Sequence, residues 1–126
     1  DEVIKVADED YGIWYIDAME RPQVYEGKTV EFKGEVQRRS KMPTGVIIPG
    51  RRAMTCCEDD ITFIGYLCRL HKTKSKTLKR IINKEWVTVT AQIHSKYNEA
   101  YDKTMPVLTA TRIEKAEPPK QTLVYF

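Results

Sequence analysis

The sequence predicts an all-β domain, an OB-fold-like five-stranded Greek-key barrel, with an added N-terminal helix and a short helix between strands three and four. Three observations carry this. Five strand-type runs follow one another in the chain. A lysine-rich segment with helical spacing separates the third run from the fourth. The N-terminal apolar residues repeat with helical period and lie ahead of all five strands. Five strands with a helix between the third and fourth is the order of a partly open Greek-key barrel. A split αβ sandwich is the runner-up.

Residues 1 to 6 alternate polar and apolar, as an arm or a short strand would. Asp8, Glu9 and Asp10 place acid where a helix N-terminus favours it. Tyr11, Trp14, Tyr15 and Ala18 then recur at intervals of 3, 4 and 7, one face of a helix from about Asp10 to Glu20. Pro22 stops it. Residues 1–24 are therefore read as an arm and helix, and packing on a sheet accounts for Trp14. Tyr25-Glu26-Gly27-Lys28 makes a turn.

Val30, Phe32, Gly34 and Val36 alternate with Glu31, Lys33, Glu35 and Gln37, the period of a half-buried strand. Gly34 suggests a bend or a close backbone approach. A loop holds Pro43 and Gly45. Val46-Ile47-Ile48 reads as a short strand closed by a Pro49-Gly50 turn. Arg51 to Cys57 resumes as a strand or strand edge until Glu58, Asp59 and Asp60 break it. Ile61 to Leu70 is apolar on both parities, as a central strand would be, and Cys68 within it behaves as a small core hydrophobe.

His71 to Lys84 carries Lys72, Lys74, Lys76, Lys79, Arg80 and Lys84 with no acid between them. Leu78, Ile81 and Ile82 sit at i, i+3 and i+4, so this is a loop, then a short helix ending near Asn83. Trp86 to Ile93 is the most β-branched run. Ser95 to Lys103 reads as a polar loop and Pro106 to Ile113 as the last strand. The barrel is placed at 25–119. Residues 120–126 form an apolar tail that packs back on the body or meets a partner.

A chain of 126 residues suits one core. With 41% hydrophobic and 31% charged residues it is neither disordered nor, having no long apolar run, a membrane span. The net charge of +3 is mildly basic, short of a dedicated nucleic-acid module. The chain starts at Asp1 rather than Met, as a processed or excised fragment would. No Ser/His/Asp set, glycine-rich phosphate loop or His-Glu-x-x-His is present, so the sequence is read as non-enzymatic.

The chemistry-bearing stretch is Arg52-Ala53-Met54-Thr55-Cys56-Cys57-Glu58-Asp59-Asp60. Cys56, Cys57 and Asp60 are candidate ligands for a divalent metal such as zinc, since thiolate and carboxylate both bind borderline ions. His71 or His94 could complete the set only through folding. The same two cysteines could be a redox pair: Arg51 and Arg52 favour a thiolate and the acids disfavour it, so the charges oppose. The third reading puts one cysteine in the core and the other at its rim. Arg52, Lys72, Lys74, Lys76, Lys79 and Arg80 are the candidate partner-binding charges. A single-stranded nucleic acid is the alternative partner, its charge met by the lysines and arginine between Lys72 and Lys84 with Arg38, Arg39, Lys41, Arg51 and Arg52, and its bases by aromatic rings. Core packing accounts for Phe32, Phe63 and Trp86.

Several strings carry a family resemblance. They are Tyr25-Glu26-Gly27-Lys28, Glu31-Phe32-Lys33-Gly34-Glu35-Val36, Arg52-Ala53-Met54-Thr55-Cys56-Cys57 with Asp60 behind it, Trp86-Val87-Thr88-Val89, and Pro119 with Tyr125-Phe126. On these the chain resembles the C-terminal soluble domain of YcgQ-like proteins, bacterial membrane proteins described as two-component permease subunits. Ala91 and Glu35 depart from the family's usual glycine and phenylalanine. The resemblance implies an accessory or binding domain, associated with the cell membrane, that follows spanning helices and works beside a permease-like membrane subunit. It names no substrate.

Overall fold

The computed structural model describes residues 2–38, 42–43, 45–55, 57–70 and 81–125. β1 (Val3–Lys5) and a 3-10 turn at Asp8–Asp10 lead into α1 (Tyr11–Glu20) and a single turn, α2 (Pro22–Tyr25). The strands β2 (Thr29–Gln37), β3 (Val46–Met54), β4 (Thr62–Gly65), β5 (Cys68–Arg69), β6 (Trp86–Asn98), β7 (Lys103–Lys115) and β8 (Leu123–Tyr125) follow.

The sheet closes on itself. β2 pairs antiparallel with β6, β6 with β7, β7 parallel with β5, β5 antiparallel with β3, and β3 antiparallel with β2 again. This ring is the Greek-key closure of an OB barrel, with the parallel pairing of its third and last strands. The two end segments extend it, each by a parallel pairing: β1 against β2 and β8 against β3. The apolar tail thus packs back as a strand.

Period two puts Val30, Phe32 and Val36 of β2 and Val87, Val89, Ala91 and Ile93 of β6 inside. Tyr11, Trp14 and Ala18 of α1 are buried against them, the helix face read from the sequence. Gly27 takes a left-handed φ of 79° in the turn before β2, which glycine adopts without strain.

Three expectations need correction. The Pro49-Gly50 pair lies inside β3, not at its end. It marks a bend where backbones nearly touch: a Cβ on Gly50 would sit 2.1 Å from the Ile64 carbonyl oxygen. The expected single strand Ile61 to Leu70 is broken into β4 and β5: among the described residues β4 pairs only with β3, whereas β5 joins β3 to β7. The polar loop after residue 95 is mostly strand, with only residues 99–102 connecting β6 to β7. The short helix expected to end near Asn83 lies mostly outside the described residues, which omit 71–80; of its expected end, Ile81 and Ile82 are not helical, and Asn83 and Lys84 form a turn in which Lys84 has φ 72°.

Candidate functional site

β6 and β7 are 13 residues each. The alternating burial of β6 stops after Ile93, so the hairpin tip projects beyond the barrel. The turn is held locally. Asn98 Oδ1 accepts the Ala100 N–H at 2.9 Å, the Tyr97 hydroxyl donates to the Asp102 carboxylate, and Asp102 takes a left-handed φ of 49°. Aspartate tolerates that conformation better than most residues.

Between this tip, the β4–β5 connection and the C-terminal half of α1 lies a cleft of about 950 Å³. Tyr15 and Met19 of α1 form one wall, Phe63, Gly65 and Leu67 the floor, and the hairpin tip the other wall. Tyr97 and Tyr101 are 55% and 71% exposed at the rim. Arg69, Lys96 and Lys103 set three cations against one carboxylate, Glu99. Tyr66 supports the cleft from beneath: its ring stacks on Tyr15 at 4.6 Å and its hydroxyl donates to the Tyr15 carbonyl. Burial pushes the Tyr66 hydroxyl far above the ordinary range, so it stays a neutral donor. The face of the second and third strands, with the last hairpin beside it, is where OB barrels take extended ligands.

The cysteine turn is separate. Cys56 lies outside the described residues. Cys57 is exposed after β3, and its thiol donates to Asp60 Oδ2 at 3.7 Å, while the Thr55 hydroxyl donates to the same oxygen at 3.2 Å. The Asp60 N–H donates to the Cys57 carbonyl at 2.9 Å, so a 3-10 turn at Glu58–Asp60 brings these two candidate ligands together. His94 sits elsewhere, its Nδ1 3.2 Å from Glu26 Oε2. Among the described residues no group of three or more His, Cys, Asp or Glu side chains is placed to hold a metal. Cys68 is buried in the core, and burial pushes its thiol up to about 12, which leaves it no nucleophile.

Of the candidate partner-binding charges, Arg52 is half exposed on β3 and lies 3.4 Å from Glu35. Lys72, Lys74, Lys76, Lys79 and Arg80 lie outside the described residues. Arg51, expected beside the cysteines as a charge acting on their thiols, is instead enclosed. Successive strand residues face opposite ways, and Arg51 turns inward, 1% exposed. Its guanidinium bonds Asp8 Oδ1 and the Gln121 carbonyl, each at 3.0 Å, and lies 5.2 Å from the Trp86 ring centre. Its Nε has no hydrogen-bond partner among the described residues.

Sequence reasoning missed Tyr97, Tyr101, Lys96, Lys103 and Arg69 as a group. The available signal was the alternation of tyrosines with lysines on both sides of a short turn. Polarity made it read as loop.

A search of curated protein sequences finds no match. Among solved structures, the chain is similar to the S. pombe Stn1-Ten1 complex at 12% identity and TM-score 0.45, covering 94% of this chain and 78% of that one. It is also similar to an Entamoeba histolytica asparaginyl-tRNA synthetase in complex with asparaginyl-adenylate, at 14% identity and TM-score 0.48, covering 94% of this chain and 25% of that one. The sequence itself is matched from residue 1 to residue 126 by one family, and the chain belongs to it: the DUF1980 C-terminal domain family.

Proposed function

We propose that this is a non-enzymatic binding domain, acting as an accessory part of a membrane permease-like complex of the kind the YcgQ-like resemblance implies. The observation that carries the binding role is the open cleft beside the β6–β7 hairpin, with Tyr97 and Tyr101 at its rim. Exposed aromatic rings above a firmly packed floor suit recognition, because they bury large area at small entropic cost. Membrane fractionation of the natural gene product tests this. The domain is expected to sediment with membranes and to crosslink, through a photoreactive group at Tyr101, to a polytopic protein. Recovery only in the soluble fraction, with no such crosslink, overturns it.

The cysteine turn enters the proposal as a second element. Cys57 and Asp60, with Cys56, would hold a divalent ion such as zinc through thiolate and carboxylate donors. Metal analysis of protein purified anaerobically with reductant decides. Absence of stoichiometric zinc, unchanged by Cys57→Ser, removes this element.

A single-stranded nucleic acid is the second reading, favoured by Lys96 and Lys103 beside two exposed tyrosines. It requires oligonucleotide binding that falls steeply with salt. No binding near physiological salt rejects it.

A further inference from the structure

We propose that the cleft takes an extended acidic peptide segment, which adds as a strand to the free edge of β7; this rests on the binding-domain reading and names its ligand class.

From Lys103 to Val107, β7 pairs with β6 on one edge, and nothing among the described residues pairs with the other. Lys103, Met105, Pro106 and Val107 line the cleft. The register shows which backbone groups face it. Ile93, opposite Leu108, sends its N–H to the Lys28 carbonyl and accepts the Gly27 N–H, both at 2.8 Å and both on the side away from β7. Leu108 therefore points its own groups the opposite way, and its N–H donates to the Leu67 carbonyl at 2.9 Å. The register is unbroken from there to the tip. Period two carries the same orientation to Pro106 and Thr104. Ser95, opposite Pro106, agrees: its N–H goes to Glu26 Oε1 at 2.6 Å, away from β7.

Pro106 is buried and has no N–H, so the exposed part of the edge offers one donor and one acceptor, both from Thr104. Pro106 blunts the edge against indiscriminate pairing. A short peptide can still dock there by strand addition. Side chains then select. Tyr97 and Tyr101 stand exposed at the rim and Leu67 is 43% exposed on the floor. Three cations against Glu99 favour acidic residues in the added strand. Nucleic acid fits less well, because it makes no use of a strand edge.

The test is a titration of the isotope-labelled chain, followed by backbone amide NMR, with three probes: an alternating Glu-Val peptide eight residues long, its Lys-Val counterpart and an oligo-dT strand. The acidic peptide is expected to bind and to slow hydrogen exchange at the Thr104 amide. Thr104→Pro deletes the single outward N–H and leaves the β6 ladder intact; it is expected to weaken binding about five- to tenfold. Thr104→Ala keeps the N–H and is expected to bind within about twofold of the parent. Lys103→Glu is expected to shift preference toward the Lys-Val peptide. The proposal is overturned if the acidic peptide does not bind, if the basic peptide or oligo-dT binds the cleft equally well, or if Thr104→Pro binds like Thr104→Ala. Should Thr104→Pro fail to fold, exchange at Thr104 in the parent chain decides alone. Membrane fractionation is independent of this titration, so a domain that sediments with membranes yet ignores the acidic peptide loses only the ligand class.

Discussion

Replacing Arg51 should distinguish a structural latch from a passenger charge. Arg51→Ala removes several contributions at once. The bond to the Gln121 carbonyl, made by a charged donor, contributes about 1.5 kcal/mol. The pair with Asp8, whose side chain is 43% exposed, contributes about 1 kcal/mol after solvent screening. The Trp86 ring contact adds about 1 kcal/mol and the lost methylenes about 1.6 kcal/mol. Relief of the cost of burying a cation offsets part of this. The net expectation is a loss of about 3 kcal/mol, a shift of roughly 2 M in a urea midpoint at a slope near 1.5 kcal/mol/M. Arg51→Met keeps the stem and discards the charge, so it should cost about 1 kcal/mol. Asp8→Ala should cost more, about 2 kcal/mol, because it leaves a buried guanidinium short of its anion beside an Nε that has no partner among the described residues. Urea unfolding gives the order, and hydrogen exchange gives the location: protection should fall first at Leu123–Tyr125 and Asp8–Asp10. An Arg51→Ala cost under about 1 kcal/mol, or exchange at both ends like that of the parent, would refute the latch.

Gly50→Ala should cost about 3 kcal/mol or more, since the new methyl would lie 2.1 Å from the Ile64 carbonyl oxygen, a backbone atom with little freedom to retreat; thermal unfolding checks it. In a Cys56→Ser background, a thiol reagent at pH 8 should label exposed Cys57 quickly and buried Cys68 only after urea is added. Glu26 is held below the usual carboxylate range, first by the Ser95 backbone N–H and then by His94. Its stabilising effect is thus present above the unfolded carboxylate value and is lost as pH falls through the depressed one. Glu26→Gln should flatten the acid limb of a stability–pH curve, and an unchanged limb would remove the assignment.

The barrel was legible wherever a strand has one wet face and one dry face. β2 and the first half of β6 alternate cleanly because their odd and even residues meet different solvents. Legibility failed where that contrast ends. Beyond Ile93 no residue of β6 is fully buried, so Ser95 to Asn98 look like loop although they are strand. Pro49-Gly50 looks like a turn because local chemistry cannot reveal that another backbone will cross at Gly50. Arg51 is the sharpest case: its partners stand 43 and 70 residues away, so only the closed sheet could identify it as buried. For the site, Cys57 and Asp60 are close in sequence, and the turn sets the thiol 3.7 Å from the carboxylate. The cleft needs α1, the β4–β5 connection and the hairpin tip to converge, which no local pattern announces.

Arg51 also brings the two ends of the chain within the span of one guanidinium, since Asp8 and Gln121 bond the same group. Entry and exit are therefore neighbours. A domain so arranged can be spliced into a surface loop of a host protein without prying the host apart, and its own chain can be rejoined by a short linker and reopened elsewhere. Opening it at residues 99–102 would give a circular permutant with the barrel ladders intact, at the expense of the projecting tip.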